Sequence, residues 1–144
     1  MPVFATISIL PMWNVVPSAY VARAIGPDAF TGLSLAGKAV LVHTGWSRHF
    51  DTPAYGHGHP YLTRAAAEML VAAGAAFVAI DSLNIDDIAD RARPAHTVLL
   101  GAGIPIGEHF TNLAALPAHG ARLHAAPVKV RAMGTFPVRA YAIV

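Results

Sequence analysis

Cysteine is absent from this chain of 144 residues, which excludes disulfides, cysteine-based zinc sites and thiol nucleophiles. Charge is scarce too. Asp, Glu, Lys and Arg together make up 12% of the residues, and the formal net charge is only +2. The ten Lys and Arg residues are scattered rather than striped, so no face is built for nucleic acid. No charge occurs before Arg23, but Pro2, Pro11 and Pro17 interrupt the uncharged opening and no basic region precedes it. The most apolar internal stretch, Met69 to Ile80, is 12 residues and contains Gly74. A membrane helix needs about 20 apolar residues, so the expectation is a cytoplasmic protein without a membrane span. Several motifs are also missing: G-x-S-x-G, G-x-G-x-x-G, a phosphate-binding Gly-rich loop and H-E-x-x-H.

What is abundant is apolar area and histidine. Hydrophobic residues reach 55%, a composition that points to surface covered by another copy of the chain, or to an alanine-rich core. Eight histidines stand beside eight carboxylates.

From Leu35 onward the chain reads as one α/β domain, a mixed sheet with packed helices, spanning residues 1–144. Ala39 to His43 and Phe77 to Ile80 are short apolar runs of the kind that form buried strands. Thr63 can cap a helix reaching about Ala73, with Gly74 in the left-handed position after it. Asp81 to Arg93, with Asp86, Asp87, Asp90, Arg91 and Arg93, predicts a solvated turn or short helix. Pro94 opens another helix that closes near Gly101 or Gly103, and Ile104 to Ile106 makes a short strand. Two more strands are expected at about Arg122 to Ala132 and Val138 to Val144, the first broken by Pro127. Residues 1–36 are assigned poorly, although Ala5 to Leu10 has strand character before Pro11, Pro17 and Pro27.

Two groups of residues have the chemistry of metal ligands. His49 and Asp51 stand at i and i+2, which in an extended chain puts both side chains on one face, and His57 and His59 repeat the spacing. A merely polar loop accounts for the same pattern. His96 falls in the first turn of the helix opened by Pro94, and Glu108 follows the apolar run Ile104 to Ile106. A carboxylate beside a buried run must be paired, hydrogen-bonded or metal-bound to offset its desolvation. His96 with Glu108 is a donor pair suited to zinc or manganese, and an ion pair of Glu108 with an arginine is the alternative. The only other glutamate, Glu68, lies on the helix after Thr63 as a solvated residue.

Five segments carry a resemblance: Lys38-AVLVHTGW-Ser47, Gly58-HPYLTRAAAEML-Val71, Ala79-IDSLNID-Asp87, Pro94-AHTVLLGAGIPIGEHFTNLAALP-Ala118 and Pro127-VKVRAMGTFPVRAYAI-Val144. In this order, over residues 37–144, they resemble the cyclase family of bacterial arylformamidases (kynurenine formamidases) and isatin hydrolases. The resemblance implies a compact α/β fold assembled as a homodimer or larger. It implies hydrolysis of amide or related carbonyl bonds of a small molecule with zinc or manganese, and His96 and Glu108 as two of the metal ligands. The family's remaining ligands come from a segment H-x-G-T-H-x-D-x-P-x-H, a string that does not occur in these residues; residues 1–36 hold no histidine. Two readings therefore stand. One is a metal-dependent hydrolase or cyclase whose site is completed by His49, Asp51 or a partner chain. The other is a non-catalytic remnant of the same fold, or an interaction protein that partners a full-length relative.

Overall fold

The computed structural model describes residues 3–11, 23–128 and 130–144. The uncharged stretch around Pro17, and Pro2, lie outside the described residues. Among the described residues, eight strands and two α-helices run in the order β1 (Val3–Pro11), β2 (Ala24–Ile25), β3 (Lys38–His43), β4 (Tyr61–Leu62), α1 (Arg64–Ala72), β5 (Phe77–Ile80), α2 (Pro94–Gly101), β6 (Ile106–Gly107), β7 (His119–Ala126) and β8 (Arg139–Ile143). Six strands form one sheet in the order β6-β5-β3-β1-β7-β8. The first four of these are mutually parallel; β7 is antiparallel to β1 and β8 to β7. β2 and β4 make a separate parallel pair. The mixed α/β sheet expected from the sequence is present.

β3 and β5 show why the apolar runs fold as they do. Successive side chains of a strand point to opposite faces, so a strand buried on both faces is apolar throughout. On one face Val40, Val42, Val78 and Ile80 pack with Ala66, Ala67 and Leu70 of α1 and with Ala95 and Leu99 of α2. On the other face Ala39, Leu41, Phe77 and Ala79 pack with Leu113, Ala121 and Leu123. α1 begins where Thr63 accepts a hydrogen bond from Ala66 N, and Gly74 turns the chain out of it at φ 73°. Glu68 is exposed and pairs with Arg64 one turn earlier.

Three expectations need correction. The strand after α2 is shorter and later than Ile104 to Ile106, because its ladder to β5 involves only Ile106 and Gly107. β7 begins earlier than Arg122, at His119, and does not resume beyond the break expected at Pro127: it ends at Ala126, since proline has no N–H to donate to the ladder. The third error is the solvated character of the segment after β5. It is indeed turns and bends, but Asp81, Ser82 and Asp86 are buried. Their polar atoms are consumed by the surrounding backbone, as described below. Among the described residues no helix is long and apolar enough to cross a membrane.

Candidate functional site

The parallel strands β3, β5 and β6 all present their carboxyl ends to one side of the sheet, where His43, Asp81 and Glu108 follow in turn. Asp81 leaves β5 directly. Its carboxylate accepts from Thr44 N at 2.7 Å, Thr44 Oγ1 at 2.6 Å and Gly45 N at 2.8 Å, which ties the loop after β3 to β5. His43 Nε2 stands 3.9 Å from the same carboxylate. Ser82 donates to Pro60 O at 2.8 Å, and Asn84 Oδ1 accepts from Asp86 N at 2.9 Å, so the turn is fixed before the next functional group.

That group is Asp86, which is 1% exposed. Pro94 occupies the first position of α2, and the next two backbone N–H groups have no partner within the helix. Asp86 accepts from both, from Ala95 N at 2.6 Å and His96 N at 3.1 Å, and also from His96 Nδ1 at 2.7 Å. A carboxylate is well placed there, at the positive end of the helix dipole. An ionised carboxylate only accepts, so Nδ1 of His96 carries a proton toward Asp86, and Nε2 is the ring nitrogen left for another partner.

Glu108 meets that nitrogen: His96 Nε2 and Glu108 Oε1 are 3.5 Å apart. Oε1 also accepts from Ile85 N at 2.8 Å. An arginine partner for Glu108, the alternative weighed above, does not occur among the described residues. Glu108 is aimed by its neighbours. A Cβ on Gly107 would come within 2.9 Å of Phe77 Cζ and 3.1 Å of Ala79 Cβ, so only glycine brings the strand this close. His109 adopts φ 60°, its N–H bonds Ser82 O at 3.1 Å, and its Nδ1 lies 3.0 Å from Tyr55 Oη. Tyr55 is buried under the loop after β3, where Trp46 Nε1 donates to its carbonyl at 3.0 Å and Phe50 packs edge-on to its ring. Burial first, then the charges of Asp81 and Glu108, push the Tyr55 hydroxyl up to about 12. It stays protonated and able to donate.

The structure thus brings His96 and Glu108 together. It does not bring His49 and Asp51 to them: among the described residues no group of three or more His, Asp or Glu side chains is placed to hold one ion. The extended geometry assumed for His49 and Asp51 is not adopted. His49 closes a 3₁₀ turn, Trp46–His49, with its Nε2 accepting from Arg48, while Asp51 is exposed in the left-handed region at φ 61°. Likewise Gly58, at φ 74°, separates exposed His57 from buried His59. Asp86, Asp81, Tyr55 and His109 were missed as site residues. For Asp86 a signal existed, an acidic residue ahead of a Pro-Ala-His helix start; for Tyr55 there was none.

As donors, a neutral imidazole nitrogen and a carboxylate oxygen suit zinc or manganese. Two ligands about 2.1 Å from a tetrahedral ion stand about 3.4 Å apart, close to the separation of this pair. The Asp86–His96 bond adds the carboxylate support typical of a metal-binding histidine. Against this stands Arg93, whose Nη2 lies against the imidazole ring, 3.2 Å from His96 Nδ1 and 2.8 Å from Nε2. The pair fits half of a metal site, with a protein cation already against it.

The class defined by this sheet is an α/β domain with the isatin hydrolase and cyclase fold. The chain superposes on an isatin hydrolase bound to the product analogue thioisatinate with a TM-score of 0.84 and 23% identity, over 99% of this chain and 60% of that one. Isatin hydrolase A from Ralstonia solanacearum gives 0.80 and 26% identity, over 96% and 59%. A predicted metal-dependent hydrolase from Bacillus stearothermophilus gives 0.77 and 25%, over 96% and 62%. The chain therefore spans about three fifths of the length of these proteins. More particularly, residues 24–87 match the Cyclase family ("Putative cyclase"), so the resemblance to that family holds. The matched stretch ends before His96 and Glu108. No curated protein matches the sequence.

Proposed function

We propose that this chain contributes half of a metal centre that hydrolyses or cyclises an amide or related carbonyl bond of a small molecule. The observation that carries the reading is the approach of His96 Nε2 to Glu108 Oε1 at 3.5 Å, with Asp86 bonded to the opposite ring nitrogen, Nδ1, at 2.7 Å. His96 and Glu108 would hold zinc or manganese. When bound, such an ion supplies Lewis-acid polarisation of a carbonyl and activation of water near neutral pH. Asp86 orients His96, Gly107 sets the height of Glu108, and the Tyr55–His109 pair leaves one outward proton donor in either tautomer.

A catalytic ion normally takes three protein ligands and keeps one position open. The third ligand would come from a second polypeptide, either another copy of this chain or a full-length relative. A composition that is 55% hydrophobic supports such a partner, as does the clustering of exposed Val128, Val130, Met133, Val138, Tyr141, Ile143 and Val144 near one end of the sequence.

Arg93 favours a second reading, a non-catalytic partner of the same fold, because its guanidinium, with Nη2 3.2 Å from Nδ1 and 2.8 Å from Nε2, lies against the imidazole of His96 and sets a permanent positive charge beside any ion held there. The test is metal content measured together with solution mass, beside hydrolysis of an aryl formamide such as N-formylkynurenine with added manganese or zinc. Turnover that disappears in His96→Ala supports the catalytic reading. A metal-free protein, inert with either ion, supports the second.

A further inference from the structure

A cavity of about 470 Å³ opens at the carboxyl end of β3, between the loop that follows it and the segment after Glu108. His43, Ser47 and Arg48 line one wall, and Thr111, Asn112 and Leu113 the other. Among the described residues no Asp or Glu faces it. The nearest carboxylate along β5, Asp81, is fully buried and already bound by Thr44 and Gly45. A second depression of about 440 Å³ differs in this respect, because Arg64 there is accompanied by Asp87 and Asp90.

Arg48 is the one permanent cation of the cavity among the described residues, and it is held rather than free-swinging. Its Nη1 donates to Gly45 O at 3.1 Å and its Nε to His49 Nε2 at 3.1 Å. A guanidinium has five N–H donors, so three remain for a ligand, enough for a two-point grip on a carboxylate. Ser47, Thr111 and Asn112 add uncharged donors, and Leu113 with Ala114 offers an apolar surface. One fixed positive charge without lysine or a second arginine matches a singly charged anion better than a phosphate. A volume of this size is ordinary for a small-molecule site.

We propose that this cavity binds the carboxylate of a small organic acid, with Arg48 gripping the carboxylate and the body of the acid lying against Leu113. The proposal does not draw on the metal pair, since nothing in it requires His96 or Glu108.

Calorimetric titration of the whole chain with benzoate tests it, with benzamide as the neutral isostere and inorganic phosphate as the competing anion. Saturable one-to-one binding of benzoate is expected, weaker by about tenfold or more for benzamide and for phosphate. Arg48→Met should abolish it, Arg48→Lys should retain part of it, and His96→Ala should leave it unchanged. Asn112→Gly keeps the left-handed backbone at φ 59° while removing the amide, and should weaken binding without altering the fold. Benzoate binding that survives Arg48→Met, equal binding of benzamide, or no benzoate binding at millimolar concentration would overturn the proposal.

Discussion

Asp86 is bonded to His96 twice, through the backbone N–H at 3.1 Å and through ring Nδ1 at 2.7 Å. One buried carboxylate therefore caps the helix that carries the histidine and selects the histidine's tautomer. Local structure and site chemistry depend on the same two oxygens.

Replacing Asp86 should separate these effects. Asp86→Ala leaves the buried N–H of Ala95 and the partly buried N–H of His96 without their acceptor, at a cost on the order of 3 kcal/mol. Urea unfolding should show this as a lower midpoint with an unchanged slope. Asp86→Asn keeps one acceptor and the side-chain volume, so most of the stability should survive while control of the His96 tautomer is lost. Zinc affinity, read by competition with a chromophoric chelator, should fall roughly tenfold to a hundredfold in Asp86→Asn. Unchanged affinity in a folded Asp86→Asn would show that the carboxylate serves only as a helix cap.

Tyr55 gives an alkaline signature. Its hydroxyl is pushed up to about 12 in the folded protein, against an ordinary value near 10. The unfolded chain releases this proton first, so the stabilisation is complete below pH ~10 and is lost as pH rises through about 12. The amount at stake is on the order of 2 kcal/mol. Phenolate absorbance should show one of the four tyrosines titrating last, and Tyr55→Phe should remove that step and flatten the alkaline fall in stability. If the last step persists in Tyr55→Phe, the hydroxyl is not where burial and the Asp81 and Glu108 carboxylates act on it.

Much of the fold was legible because it rests on local rules. Thr63 and Gly74 bracket α1 by capping chemistry, Pro94 starts α2, and the apolar runs of β3 and β5 suit strands buried on both faces. The pairing of His96 with Glu108 was legible for a different reason, their placement on successive elements and the family likeness. The rest depends on long-range contacts. Asp86 lies among polar neighbours that suggest a solvated turn, and only the return of α2 buries it. Tyr55 meets His109 across 54 residues, with no periodicity to announce it. His49 and Asp51 misled because same-face spacing holds for an extended chain, whereas Asp51 turns left-handed.

Gly107 should be intolerant of any side chain. The Cβ of Gly107→Ala would fall 2.9 Å from Phe77 Cζ and 2.5 Å from Phe110 Cε2, both aromatic rings of the second core cluster. Overpacking of this kind costs roughly 1–3 kcal/mol. Because the displaced strand carries Glu108, zinc affinity should fall along with the thermal midpoint. A Gly107→Ala protein with wild-type midpoint would mean that β6 can shift away from β5 without cost.

Asp51 provides the contrast to His96. Its side chain is exposed, its backbone is left-handed at φ 61°, and it joins no cluster of donors among the described residues. Asp51→Gly removes the carboxylate while easing the backbone, since glycine adopts this conformation without the penalty of a Cβ. The expected outcome is unchanged zinc and manganese affinity with equal or slightly higher stability. His96→Ala in the same assay should abolish whatever binding the wild type shows. The two variants together decide whether the site draws on the loop after β3. Loss of metal binding in Asp51→Gly as complete as in His96→Ala would mean that the loop closes onto the His96–Glu108 pair when the ion is present. The third ligand would then come from this chain and not from a partner.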